Sequence, residues 1–187
     1  INGNVGVHTG AAMSGGEITI EGNAADWLGP EMLGGKIIVK GNAGHMVGSG
    51  YRGSTVGMQG GEIIVHGNVK NETGHAMRRG LIVVGGNAGD FTGVNMLAGT
   101  VIVLGEMGIR AGAGMKRGSI ICTGKADMLP TFTSGCQYQP SFLRNYYHYL
   151  KTLGIAVNET LLNGPFERWC GDAVELNRGE VLLYAGK

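Results

Sequence analysis

The chain has 187 residues, which is enough for one domain with its own hydrophobic core. Its formal net charge is only +1, so the composition favours neither a nucleic-acid-binding protein nor one that binds an anionic membrane. No apolar run approaches the roughly 18–20 residues that span a bilayer, and three widely spaced cysteines form no disulfide framework, so we expect a cytoplasmic protein.

A phrase of 19 residues recurs through the first two thirds of the chain. Each copy contains a methionine, and successive methionines lie 19 residues apart except for one step of 26 residues. The repeat methionines are Met13, Met32, Met58, Met77, Met96 and Met115. A fixed period near 20 is typical of a solenoid, in which stacked repeats bury a core that one repeat cannot bury alone.

Each repeat also contains a short run of β-branched residues, such as Lys36-Ile-Ile-Val-Lys. Such runs predict strands, and the repeat is too short to hold a crossover helix as well. We therefore predict an all-β fold, a right-handed parallel β-helix of 19-residue coils over residues 1–125. Because the chain starts inside a repeat, we expect that N-terminal coils of the parent polypeptide are missing. The first inward-facing ladder is Ile18, Ile37, Ile63, Ile82, Val101 and Ile120, and the second is Ile20, Val39, Val65, Val84, Val103 and Cys122.

Two further rows of equivalent residues are expected to be structural. The methionines are expected to fill the core. An asparagine follows the glycine that closes most strands, and such a row can satisfy hydrogen-bonding groups between coils. The asparagines are Asn4, Asn23, Asn42, Asn68 and Asn87.

The outward-facing position in the middle of the strands is apolar in five of six repeats, starting after Thr19. A solvated face would carry polar residues there. We therefore expect this stripe to be covered, either by the C-terminal segment of the chain or by a partner subunit. The residues of the docking stripe are Ile38, Ile64, Val83, Ile102 and Ile121.

The single longer step of the repeat lies between Gly48 and Met58. Solenoids place such insertions on their surface and frequently use them for binding. Tyr51 and Arg52 in this insertion are candidate contacts for a partner or a ligand, although a merely tolerated loop explains them as well.

Four basic residues fall into register after the repeat methionines. Arg78 and Lys116 follow the methionines directly, and Arg79 and Arg117 come next. Two strand spacings, about 10 Å, separate the two pairs. This arrangement is suited either to an extended anion or to an ordinary solvated basic edge.

The repeat pattern ends near Asp127, and residues 126–187 are expected to form a C-terminal capping or docking extension. Residues 128–140 have the composition of a loop, and a helix is predicted from about Ser141, its N-cap, to Leu153. Residues 166–175 and 179–184 are expected to form a last turn and strand. The extension would protect the open edge of the solenoid.

The sequence contains no convincing catalytic or metal-binding pattern. The five histidines lack HxH or HExxH spacing, and none has a cysteine at ligand spacing. Nucleophile-elbow and nucleotide-binding motifs are also absent. We therefore expect neither catalytic nor metal-ligating residues in this chain, and no cofactor bound by it.

The repeat phrase G-x-x-M-x-G-G-x-I-x-V-x-G-N-A-G resembles the GXGXG β-helix domains shared by glutamate synthase and the β-helical subunit of formylmethanofuran dehydrogenase. In the tail, Leu129-Pro-Thr-Phe, Pro140-Ser-Phe-Leu-Arg-Asn-Tyr and Gly171-Asp-Ala-Val-Glu-Leu-Asn-Arg-Gly-Glu are similar to the dehydrogenase subunit. The helical stretch 142–153 is most similar to the bacterial form, found in the formyltransferase/hydrolase complex of methylotrophs.

That resemblance implies a structural subunit of a complex in one-carbon metabolism. Such a complex transfers formyl between tetrahydromethanopterin and a methanofuran-type carrier and releases formate. The implied partners are an amidohydrolase-like subunit, a formyltransferase subunit and a molybdopterin-type subunit or its relic. The resemblance also implies that the carrier has an oligo-anionic tail, for which the four basic residues are the candidate contacts.

Three alternatives remain open from the sequence. The first is the corresponding β-helical subunit of the archaeal tungsten or molybdenum formylmethanofuran dehydrogenase of methanogenesis. A glutamate synthase spacer domain is the second, which the long tail disfavours. The third, a polysaccharide-cleaving β-helix enzyme, would need paired carboxylates in a groove, and Glu17, Glu21 and Glu62 share their surface with lysines.

Overall fold

A computed structural model describes residues 1–186 of the chain. It contains a nine-stranded sheet, with strand order β1-β2-β3-β4-β5-β6-β9-β8-β7, and two helices. The strands of the repeat region are β1 (Glu17–Ile20), β2 (Lys36–Val39), β3 (Glu62–Val65), β4 (Leu81–Val84), β5 (Thr100–Val103) and β6 (Arg117–Cys122). The elements of the tail are β7 (Thr133–Tyr138), α1 (Leu143–Thr152), α2 (Thr160–Asn163), β8 (Phe166–Gly171) and β9 (Arg178–Tyr184).

The six strands of the repeat region pair in parallel, and equivalent residues of the repeat lie side by side. Ile82, for example, is the register partner of Ile63 in β3 and of Val101 in β5. The predicted strand register is therefore confirmed. A second line of contacts runs along the repeats away from the strands, through isolated parallel bridges such as those joining Val5, Ala24 and Ala43.

The two inward-facing ladders lie in one hydrophobic core, and all their residues are buried except Ile18 in the first strand, which is half-buried. Five of the six repeat methionines have no exposed surface, and Met13 in the first of these repeats is half-buried. The prediction that the methionines are core residues is confirmed. Their flexible side chains fill the space between the strands and the glycine-rich turns.

The asparagine row satisfies backbone groups, as the repeat indicated. Asn4 Oδ1 accepts a hydrogen bond of 2.8 Å from the backbone N–H of Asn23, and the same bond recurs from repeat to repeat up to Glu106. Each asparagine therefore secures the turn of the next repeat, which explains why the residue type is repeated.

The tail contains more regular structure than its sequence predicted. Residues 128–140 are not a loop throughout, because β7 occupies 133–138, and residues 166–171 form the strand β8 instead of a turn. Strand β9 pairs in parallel with β6, and β8 and β7 add to it in antiparallel order. The tail therefore continues the sheet beyond β6.

The predicted N-cap of the first tail helix is wrong. The helix begins at Leu143 with Phe142 as its N-cap, and no side chain caps it. Instead, the N–H groups of Leu143 and Arg144 donate to the carbonyls of Pro140 and Ser141. A tight turn of backbone bonds thus replaces the hydroxyl that Ser141 was expected to supply.

Candidate functional site

The four basic residues singled out from the sequence occupy equivalent positions of two repeats, Arg78 and Arg79 before strand β4, and Lys116 and Arg117 at the start of β6. Arg78, Arg79, Lys116 and Arg117 are all exposed. The backbone N–H of Arg78 donates to Met58 O at 2.8 Å, and that of Lys116 donates to Met96 O at the same distance. Because the neighbouring methionines are buried, these turns hold the basic side chains on the outside.

The structure adds a fifth basic residue that the sequence pattern had not revealed. Arg178 at the start of β9 is the register partner of Arg117 at the start of β6, and it is also exposed. The signal was present in the sequence, because Arg178-Gly179 repeats the Arg-Gly pair found before β4 at Arg79 and at the start of β6 at Arg117. We call Arg78, Arg79, Lys116, Arg117 and Arg178 the basic row.

Little in the described part of the chain neutralises this row. Within residues 1–186, the one ion pair made by the row joins Lys116 Nζ to Glu175 Oε2 at 3.8 Å, between side chains that are both well exposed. Such a pair is worth little in water. The row therefore keeps most of its positive charge available to an anionic ligand. Salt would screen the attraction between the row and such a ligand and so weaken it.

An open cleft of about 270 Å³ adjoins the basic row. Its lining includes Ser54 and Thr55 of the 26-residue repeat, together with Lys116 and with Glu175 of the tail. The two departures from the regular repeat, the insertion and the tail, thus meet at one place. The cleft is lined by Ser54, Thr55, His75, Ala76, Asn95, Leu97, Gly114, Lys116 and Glu175.

Tyr51 belongs to the same insertion but packs elsewhere. Its ring stacks on that of Trp27, with centroids 5.3 Å apart and an interplanar angle of 18°, and His8 meets both rings edge-on. Its backbone N–H donates to Glu31 Oε1 at 3.2 Å. Tyr51 is half-buried by these contacts, whereas Arg52 beside it is exposed. The structure therefore does not bring Tyr51 into the cleft.

The docking stripe lies beneath the tail of the same chain. Its five residues form one buried cluster with Leu143, Tyr147 and Leu150 of α1, together with residues around α2 and β8. Helix α1 is also held at its edge by a polar contact, since Tyr149 donates its hydroxyl hydrogen to Glu62, which is paired with Lys36 at 3.4 Å. The stripe is consequently occupied by the tail.

A second hydrogen-bonding row was not anticipated from the sequence. Asp26 Oδ1 accepts from the N–H of His45 at 2.8 Å, and His45 Nδ1 accepts from the N–H of Asn71 at 3.2 Å. Asn71 and Asp90 continue the row in the following repeats. The row was missed because it changes residue type at each step, so only the structure shows that the positions share one role. Because His45 makes two of these hydrogen bonds, we interpret it as a structural residue.

Burial shifts the pKa of two further candidate side chains, Cys122 and His66. Cys122 is fully buried, and burial raises the pKa of its thiol to about 11, so it is not a thiolate at neutral pH. Burial, followed by the charge of Lys40, lowers the pKa of His66. Within residues 1–186, no group of three or more histidine, cysteine or acidic side chains could hold a metal ion. Over the same range, no helix is long and apolar enough to cross a membrane.

Comparison with known proteins identifies the class of the chain. The family model described as "GXGXG motif" matches residues 1–138, and the chain belongs to this family. None of the curated proteins matches it.

A solved structure is similar over nearly the whole chain. It is a chain of the formyltransferase/hydrolase complex (FhcABCD) from Methylorubrum extorquens, determined in complex with methylofuran. The sequences are 34% identical, the TM-score is 0.90, and the match covers 98% of this chain and 68% of the other. The family resemblance inferred from the repeat phrase is thus confirmed.

Proposed function

We propose that this chain is a structural, non-catalytic subunit of a formyltransferase/hydrolase complex in one-carbon metabolism. The observation that carries the proposal is the likeness to a chain of such a complex, which extends through the tail as well as the repeats. The complex would transfer formyl between tetrahydromethanopterin and a methanofuran-type carrier and release formate. Its partners would be an amidohydrolase-like subunit and a formyltransferase subunit, and its location the cytoplasm, which the three free cysteines support.

The proposed architecture is a right-handed parallel β-helix over residues 1–125, followed by a capping and docking extension over 126–187. The parallel ladders between equivalent residues of the repeat, with a second line of bridges away from the strands, support this winding. The extension would have two tasks. It pairs with β6 through β9, and it covers the docking stripe with α1.

The proposed role of this subunit is to position its partners, and no bound cofactor or reacting group is assigned to it. Three observations support this role. Cys122 is a buried thiol with a raised pKa, His45 is engaged in a backbone hydrogen bond, and the core is built from apolar ladders. A catalytic acid or base must contact the substrate and exchange a proton with it. Neither a buried thiol nor an imidazole engaged in a backbone hydrogen bond is suited to this task.

The basic row is the proposed contact for the anionic tail of the carrier. Its cations are all exposed, before β4 and at the starts of β6 and β9, and one weak ion pair competes for them within residues 1–186. Several positive charges spaced along a face would hold an extended anion without fixing a single geometry. Arg52, which is also exposed, remains a candidate contact for a partner, whereas Tyr51 is engaged with Trp27.

The experiment that tests the proposal is native mass spectrometry of the assembly purified through a tag on this chain. We expect a formyltransferase subunit and an amidohydrolase-like subunit to co-purify, with formyltransferase activity in the same fraction. A molybdopterin-bearing subunit that replaces the formyltransferase would instead identify the redox complex of the archaeal type. Recovery of this chain inside a much longer polypeptide with glutamate synthase activity would contradict the proposal.

A further inference from the structure

The loop between β8 and β9, residues 172–177, is held in a defined shape by one buried carboxylate. Asp172 is only 4% exposed, and its Oδ2 accepts from the N–H of Gly114 at 2.9 Å while its Oδ1 accepts from the N–H of Val174 at 3.0 Å. Its backbone carbonyl accepts from the N–H groups of Glu175 and Asn177 at 3.0 and 3.1 Å. This loop therefore needs little further ordering to bind a partner.

Hydrogen bonding also keeps this carboxylate charged. Burial by itself would raise the pKa of Asp172, but hydrogen bonds, chiefly from the backbone N–H groups of Gly114 and Val174, hold the pKa below its usual range. The loop thus keeps its central acceptor at neutral pH.

The same loop presents apolar side chains to solvent. Val174 is 75% exposed and Leu176 is 51% exposed, two residues apart in a loop whose backbone is fixed by Asp172. In the isolated chain, these two exposed aliphatic side chains do not contribute hydrophobic stabilisation. In contact with an apolar pocket, both side chains would lose their water-exposed surface and stabilise the contact.

The surroundings of the loop are positively charged and concave. Lys116, Arg117 and Arg178 are exposed beside it, and the carboxylate of Glu175 is paired with Lys116 at 3.8 Å. Glu175 also lines the cleft of about 270 Å³ that opens next to the loop. A surface that complements this one would combine an apolar pocket with an acidic rim.

We propose that the 172–177 loop is a docking loop for another protein subunit of the complex, whose matching surface is an apolar pocket rimmed by acidic side chains. Val174 and Leu176 enter the pocket, and Arg178 at the end of the loop faces its rim, whereas the other cations of the basic row remain available to the carrier. This inference rests on the proposed function, because it takes the partner to be a subunit of the same assembly. A protein partner fits better than a free small anion, because two aliphatic side chains form the most exposed part of the loop.

The test is co-expression of the complete complex in which this chain carries Val174→Asp and Leu176→Asp. The two carboxylates would stand in an apolar pocket and opposite an acidic rim, so we expect the incorporation of this chain, measured by native mass spectrometry, to fall at least tenfold. Val174→Ser with Leu176→Ser removes the apolar surface without adding charge and should cause a smaller loss. The matched control is Leu33→Asp, since Leu33 is 52% exposed but lies in the second repeat.

The outcomes separate this inference from the proposed function. If the wild-type chain assembles with the formyltransferase subunit and the double aspartate variant does so equally well, the docking loop is refuted and the proposed function stands. If the wild-type chain does not assemble with it, both are refuted. Equal losses for Leu33→Asp and the double aspartate variant would also refute a specific role of the loop. Circular dichroism of each purified chain verifies that it is folded.

Discussion

The substitution Gly48→Ala tests how closely the turn at Gly48 packs against the strand β4. Gly48 has a φ of +66°, and a Cβ added there would lie 2.5 Å from Ile82 Cδ1, whose side chain projects inward from β4. Carbon atoms in contact are normally about 3.5–4.0 Å apart, so the new methyl group would be roughly 1 Å too close. Glycine is required here by both its backbone conformation and its lack of a side chain.

The expected cost has two parts. A left-handed conformation costs a residue other than glycine about 1–2 kcal/mol. Forcing a methyl group into a packed core costs about 1–3 kcal/mol more. We therefore expect Gly48→Ala to lower the free energy of unfolding by about 2–5 kcal/mol. Gly53→Ala is the matched control, because Gly53 has a φ of +88° and no atom within 4 Å of its added Cβ, so only the first part applies.

Denaturant titration and thermal unfolding of the purified variants measure this difference. Each kcal/mol corresponds to roughly 2–4 °C in the melting temperature of a chain of this size. Ile82→Val removes the Cδ1 atom and by itself should cost about 0.5–1.5 kcal/mol. Combined with Gly48→Ala, it should destabilise less than the sum of the two single changes. Equal losses for Gly48→Ala and Gly53→Ala, or strict additivity in the cycle, would refute the packing described here.

Three further predictions address the stripe, the polar row and the basic row. Val83→Asp places an unpaired charge beneath α1, at a fully buried position, and should make the isolated chain aggregate or unfold; an unchanged profile in size-exclusion chromatography would contradict it. His45→Asn keeps an acceptor for the next repeat, whereas His45→Leu removes it and should cost about 1 kcal/mol more in denaturant titrations; equal stability would mean that this hydrogen bond is unimportant. Charge reversal in the basic row should raise the KM for the carrier and leave kcat nearly unchanged, and a loss of kcat in an assembled complex would point to a chemical role. The reversed residues are Arg78, Arg79, Lys116 and Arg117.

The repeat region was predictable because equivalent positions in successive repeats are subject to the same packing requirement. A β-branched residue that points inward in one repeat needs an equivalent neighbour in the next, so Ile63, Ile82 and Val101 are register partners as their spacing indicated. The apolar stripe was recognised as a covered surface for the same reason. Which element covers the stripe was not predictable from the sequence. The apolar residues Leu143 and Leu150 of α1 could equally have packed on the stripe or against a partner subunit that covers it.

The tail was harder to predict, because its strands depend on tertiary pairing. Strand β7 has the sequence Thr-Ser-Gly-Cys-Gln-Tyr and is almost wholly exposed, so it shows no apolar alternation. It forms an edge strand through its pairing with β8. Arg178 was overlooked because the regular 19-residue spacing ends near Asp127, although its Arg-Gly pair resembles those before β4 and at the start of β6.

The central claim, that this chain positions catalytic partners and supplies no reacting group, is tested most directly by the kcat of the assembled complex. Each of the five histidines is replaced by asparagine and each of the three cysteines by serine, one at a time. We expect kcat to stay within about twofold of wild type in every variant that assembles. General acid–base catalysis typically contributes 10²–10⁴-fold, so a loss of about a hundredfold in one fully assembled variant would contradict the claim.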